Sequence, residues 1–220
     1  MRGVIVVVCL AVLVAGVGIG AEESRWEKHI QRFEAEDKEA PPPKGEILFI
    51  GSSSIVRWKT DEAFPEHRIT SRGFGGSHIS DSVEFADRIA IPYAPRVIVM
   101  YAGDNDIASG KSPEEVLGDF KEFVGVIHAA LPETKIVFVC IKPSTARWSM
   151  IDEMREANAL IEGHIKKNEL LAYVDVDGPA LGEDGKPNED LLVRDGLHLS
   201  RAGYVLWNGL VRPHLGPGKK

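Results

Sequence analysis

The chain has 220 residues, 44% of them hydrophobic and 27% charged, with a formal charge of −7. That composition suits one soluble globular domain. The acidic balance, with no basic cluster to offset it, argues against nucleic acid or an anionic membrane surface as the main partner.

Arg2 precedes an almost unbroken apolar run from Val4 to Ile19, followed by Gly20-Ala21 and charged Glu22-Glu23. A basic start, an apolar middle and small residues at the exit describe a secretory signal peptide over 1–21. The run is short for a membrane span. Cleavage and export to the periplasm or the exterior are therefore expected, with no stable membrane insertion afterwards. The chain holds 2 cysteines. Cys9 would leave with the signal, and Cys140 would stay as a buried, inert thiol in an apolar strand.

Residues 22–43 read as an N-terminal helix and a Pro-rich connector. Trp26, Ile30 and Phe33 fall at helical spacing, and Pro41-Pro42-Pro43 stops the helix. Glu46-Ile47-Leu48-Phe49-Ile50-Gly51 is a short apolar run ending in glycine, then Ser52, Ser53 and Ser54. It reads as a strand buried on both faces that turns sharply at its carboxyl end. A second strand over 68–71 leads into Gly73-Phe74-Gly75-Gly76-Ser77, and 79–91 reads as helix. A third strand over 96–101 ends in Ala102-Gly103-Asp104-Asn105-Asp106. Ser112-Pro113-Glu114-Glu115 opens a helix with a capping box and a first-turn proline. A fourth strand over 135–140, a long helix over 147–168, a fifth strand over 171–174 and a closing helix over 200–211 complete the pattern. Residues 44–215 form one domain, and 216–220 a flexible Pro- and Gly-rich tail. Strands alternating with helices predict a parallel sheet covered on both faces.

Three of these strands end in glycine-containing polar loops, which must share the carboxyl edge of a parallel sheet. Ligands bind at that edge in open α/β sheets. The last loop adds Arg194-Asp195-Gly196-Leu197-His198. An acylating serine needs a base, a partner that fixes the base's tautomer, and donors aimed at the oxyanion. Ser53 supplies the nucleophile, His198 the base and Asp195 the orienting carboxylate. The N–H groups of Ser53 and Gly76 and the side-chain amide of Asn105 supply the oxyanion hole. Each residue alone is as ordinary as a cap or a turn; their order along one edge gives them weight.

Four blocks resemble the SGNH or GDSL-type serine hydrolases. Ile50-Gly51-Ser52-Ser53 is similar to the first block, with Ser53 at the nucleophile position. Gly73-Phe74-Gly75-Gly76 is similar to the second, with Gly76 as the oxyanion glycine. Gly103-Asp104-Asn105-Asp106 fits the third, and Asp195-Gly196-Leu197-His198 the last. The likeness spans 47–211. It implies a flavodoxin-like α/β fold: one three-layer domain with five parallel strands in the order 2-1-3-4-5. It also implies no metal or organic cofactor, and a branch near platelet-activating-factor acetylhydrolase-like proteins or carbohydrate acetylesterases. One departure stands out. Ser52 replaces the aspartate that usually precedes the nucleophile, and Ser54 the leucine that follows. Ser52 and Ser54 thus remain alternatives to Ser53, which is preferred because it stands two residues after the glycine that ends the strand.

The expected function is a secreted esterase acting on a small-molecule or carbohydrate ester. The absence of a long apolar lid segment favours a short acyl group. Arg57, Trp58, His78, Arg147, Trp148 and Arg194 fall near the predicted rim as substrate-binding candidates, since Trp faces stack on sugars and Arg pairs with carboxylate or phosphate. The alternatives are a lysophospholipase or thioesterase of the same fold, an acyltransferase, and a non-catalytic module that binds glycan or phosphate.

Overall fold

A computed structural model describes residues 24–218. The expected signal peptide, Cys9 and the last two residues lie outside the described residues.

Five strands form one parallel sheet: β1 (Ile47–Gly51), β2 (Ile69–Gly73), β3 (Val97–Tyr101), β4 (Lys135–Val139) and β5 (Leu171–Val174), ordered 2-1-3-4-5. The inner strands β1 and β3 are buried along their whole length, as a parallel sheet covered on both faces requires. Gly51 is level with Gly73 on one side and Tyr101 on the other. The loops after β1, β2 and β3 therefore leave the sheet side by side.

The helices are α1 (Glu27–Glu39), α2 (Ser53–Val56), α3 (Thr60–Ala63), α4 (Ile79–Glu84), α5 (Ala86–Ile89), α6 (Asp104–Ala108), α7 (Pro113–Ala130), α8 (Ile151–Ile165) and α9 (Arg201–Val211). Helices α4, α7 and α8 lie side by side, and Phe120 of α7 meets Phe138 of β4 at 5.1 Å between ring centroids. Alternation puts Phe49 and Tyr101 on the opposite face. There Phe49 meets Trp58 at 5.1 Å, and Tyr101 meets Trp207 of α9 at 4.8 Å.

The expected helix over 79–91 is broken. It splits at Phe85 into α4 and α5 and closes in a 3₁₀ turn that contains Pro92. The helix expected from residue 147 begins instead as a 3₁₀ segment, Thr145–Met150, kinked at Arg147 (φ −123°, ψ 20°). Ser112 caps α7 with the expected capping box. Cys140 is buried, and desolvation pushes its thiol up to about 12.

Helix α1 is fastened to the domain by two arginines. Arg88 reaches Glu27 and Glu34 at 2.7 Å each, and Arg72 bonds Asp37 and the Tyr93 hydroxyl. Among the described residues no helix is long and apolar enough to cross a membrane.

Gly51 has φ +133°, and a Cβ there would stand 2.0 Å from the Tyr101 carbonyl oxygen. Gly51→Ala should therefore destabilise the fold by about 2–6 kcal/mol, the sum of overpacking and backbone strain. Urea unfolding measures this; a loss below about 1 kcal/mol would contradict the close approach.

Candidate active site

The loop after β1 carries three consecutive hydroxyls. Ser52 is fully buried and Ser54 nearly so; both fill space beneath the loop. Ser53 opens α2, where the first backbone N–H groups have no partner within the helix. Its Oγ lies 3.0 Å from Nε2 of His198. Across the ring, Nδ1 of His198 lies 2.7 Å from Oδ2 of Asp195. The carboxylate can only accept, so Nδ1 carries the proton and Nε2 is left to receive one from the serine hydroxyl.

Asp195 and His198 come from one tight turn. Oδ1 of Asp195 accepts the backbone N–H groups of Leu197 and His198, each at 2.9 Å, leaving Oδ2 for the ring. The His198 backbone N–H, then its imidazole, then the Leu197 N–H hold this carboxyl well below the usual range, so it stays ionised. One neighbouring segment clamps the turn. The Gly196 carbonyl accepts the Ala146 N–H at 3.0 Å and the Thr145 hydroxyl at 3.1 Å. The next helix, α9, is capped by Ser200 and sends its Tyr204 hydroxyl to the Ser54 carbonyl at 2.8 Å. That bond ties the histidine's helix to the serine's loop.

The β2 loop passes over Ser53: a Cβ on Gly75 would sit 3.7 Å from that of Ser53. Gly76 follows with φ +87°, a conformation that suits glycine. Asn105, on the first turn of α6, donates from Nδ2 to the Ser77 carbonyl at 3.1 Å and accepts at Oδ1 from Arg147 at 2.9 Å. Buried Asp106 joins the two loops by accepting the Ile79 N–H and the Lys111 ammonium. Ser53, Gly76, Asn105, Asp195 and His198 thus share one rim. Among the described residues no group of three or more His, Cys, Asp or Glu side chains could hold a metal.

The six expected rim residues separate. Trp58 is a correction. It is 4% exposed, packed against Phe49 and Trp207, and its indole N–H donates to Asn208 at 2.8 Å. Less than two turns beyond Ser53, the chain directs the indole into the core, which leaves only a sliver of it at the wall of the groove that Arg57 lines. Arg57 is exposed and lines a groove of about 610 Å³ with Trp58, Lys59, Tyr204 and Asn208; Leu199 and Ser200, which follow His198 in the chain, line it as well. Half-buried Trp148 lines a second hollow of about 400 Å³ with Thr145, Lys186 and Asn188. Arg194 is exposed beside Asp195. His78 is half-buried where α4 begins, its N–H donating to Asp81 at 2.7 Å. Arg147 turns inward to Asn105 and Asp104 rather than outward.

The fold and this rim define a class: flavodoxin-like α/β domains that carry a serine, a histidine and an aspartate at the carboxyl edge of a parallel sheet. Within that class, residues 51–206 match the model of the GDSL-like lipase/acylhydrolase family, and the chain belongs to it. It is a carboxylic ester hydrolase. Solved structures of similar fold include a Streptococcus pneumonia protein provisionally described as a platelet activating factor (22% identity, TM-score 0.76, 86% of this chain and 92% of that one). A GDSL-like lipase from Bacteroides thetaiotaomicron is similar at 20% identity and TM-score 0.72, over 84% and 96% of the two chains. So is a mutant of an acetyl-xylooligosaccharide esterase from Geobacillus Stearmophilus, at 15% identity and TM-score 0.61, over 80% and 96%. No curated protein sequence matches this chain.

Gly196 has φ +65°, and a Cβ there would meet Thr145 Oγ1 at 2.2 Å. Gly196→Ala should push the clamp off the histidine turn. We expect kcat/KM on p-nitrophenyl acetate to fall at least about tenfold, a barrier change of about 1.4 kcal/mol. The unfolding free energy should fall by only about 1–2 kcal/mol. Full activity in the variant would mean that the turn needs no clamp.

Proposed function

We propose that the protein is an exported serine esterase that removes short acyl groups, acetyl above all, from a carbohydrate alcohol. The observation that carries this reading is the hydrogen-bonded chain Ser53–His198–Asp195, at 3.0 and 2.7 Å. Ser53 Oγ attacks the ester carbonyl while Nε2 of His198 takes the hydroxyl proton. The tetrahedral oxyanion is received by the N–H groups of Ser53 and Gly76 and the Asn105 amide. His198 then gives its proton to the departing alcohol oxygen, leaving an acyl-serine. Water enters, His198 takes its proton, and collapse of the second intermediate releases the acid and returns the proton to Ser53. Asp195 holds the imidazole in the required tautomer throughout.

A polar alcohol is supported by the groove lined by Arg57, Lys59, Glu62, Tyr204 and Asn208, which reaches Leu199, next to His198 in the chain. The fold shared with an acetyl-xylooligosaccharide esterase points the same way. Export is supported by the basic and apolar pattern of 1–21.

A fluorophosphonate probe should label the exported protein and fail on Ser53→Ala; labelling that survives the substitution would move the nucleophile elsewhere. Asn105→Ala should lower kcat about 10²–10³-fold, the usual effect of one lost oxyanion donor. Among p-nitrophenyl esters, acetate should be turned over faster than octanoate. A preference for octanoate would favour the lysophospholipase reading.

A further inference from the structure

Behind Asn105 lies a buried charge cluster that the reaction steps above do not use. We propose that Arg147 is a positioning residue: its guanidinium orients and polarises the Asn105 amide, and buried Asp104, itself paired with Lys142, holds that guanidinium in place. The proposal rests on the reading of Asn105 as an oxyanion donor.

A primary amide has two nearly isosteric ends, and only its partners decide which end points where. A guanidinium can only donate. The atom 2.9 Å from Nη2 of Arg147 must therefore be Oδ1 of Asn105. At the other end, Nδ2 gives one hydrogen to the Ser77 carbonyl at 3.1 Å. Its second hydrogen remains for a ligand above the sheet edge. A half-turn of the amide would set NH₂ against guanidinium and oxygen against carbonyl, losing both bonds. The cation also draws electron density toward Oδ1 and makes the N–H group a stronger donor.

Arg147 is itself held. Its Nη1 lies 3.1 Å from Oδ2 of Asp104, and the same carboxylate oxygen lies 3.6 Å from Nζ of Lys142. Asp104 is 5% exposed and Lys142 2%. Desolvation pulls the Lys142 ammonium down from its usual range, with the Asp104 carboxylate opposing it. A buried ion pair of this kind contributes little more to stability than a well-packed apolar pair would. Stability alone is thus a poor reason for one carboxylate between two cations at this spot; support of the reacting edge is a better one. Nη2 of Arg147 is taken by Asn105 and Nη1 is buried in ion-pair contact with Asp104, which leaves the residue poorly placed to bind substrate directly. The two residues before it, Thr145 and Ala146, clamp the Gly196 carbonyl. One segment therefore supports the amide on one side of Ser53 and the histidine turn on the other.

A double-mutant cycle tests the proposal, with kcat and KM on p-nitrophenyl acetate for wild type, Arg147→Met, Asn105→Ala and the pair. Arg147→Met should lower kcat about 10–100-fold with KM within about twofold, as loss of an interaction made only in the transition state does. In the Asn105→Ala background the same change should cost less than about threefold, because its target is gone. Arg147→Lys keeps the charge without the fork and should recover part of the loss. Equal losses in both backgrounds would overturn the proposal, as would a rise in KM with kcat unchanged, which would make Arg147 a substrate ligand. If Arg147→Met does not unfold cooperatively, the cycle runs with Arg147→Lys and the same outcomes decide. Full kcat in Asn105→Ala would instead remove the oxyanion reading itself, and the proposal with it.

Discussion

The architecture depends on how closely two strands approach at their carboxyl ends. Gly51 and Tyr101 are level, and the space between the glycine and the tyrosine carbonyl has no room for a methyl group. The chain leaves β1 there at a positive φ, and the Ser52 N–H bonds the same carbonyl at 2.9 Å. That anchor fixes where Ser53 stands. On the other side Phe74 donates to the Gly51 carbonyl at 2.9 Å, which brings the Gly75-Gly76 turn over the serine. Ser53 and the Gly75-Gly76 loop are thus placed by one short backbone crossing.

The histidine comes from far along the chain and has to be brought to that crossing. Backbone bonds inside its own turn give it shape, and bonds from neighbouring elements give it place: Thr145 and Ala146 from the segment after β4, Tyr204 from α9. None of these is a large term, since a typical hydrogen bond contributes about 1 kcal/mol net. Their value is geometric. The imidazole lies within 3.0 Å of the serine because several modest constraints agree.

Much of this was legible in the sequence. Short runs bounded by turn residues outlined the strands, and the glycine-containing loops after three of them marked a common edge, because a strand buried on both faces and a sharp turn have few other spellings. That Ser53, Gly76, Asn105, Asp195 and His198 would meet at that edge could be expected because each proposed role admits few residue types. Side-chain direction was less legible. A four-residue helix such as α2 has no periodicity to read, so the burial of Trp58 was invisible. Arg147 sits at a kink within a 3₁₀ segment, where a helical pattern misjudges its bearing. The break at Phe85 and the contacts that clamp Gly196 depend on residues far apart in the chain, which no local pattern reports.

Two features at the ends of the domain bear on how the protein can be attached to other things. Arg25 donates to the Gly76 carbonyl at 3.3 Å, and the Trp26 ring comes within 3.6 Å of where a Gly76 side chain would begin. At the other end, Arg96, just before β3, donates to the Leu215 carbonyl at 2.6 Å, while Arg212 pairs with Glu66, just before β2. The two extremities therefore lie at opposite margins of the sheet. A carrier, tag or surface linker joined ahead of Ser24 would start beside the mouth of the site and compete with bulky esters for entry. One joined after Gly218 would leave from the far margin, with the mouth turned toward solvent.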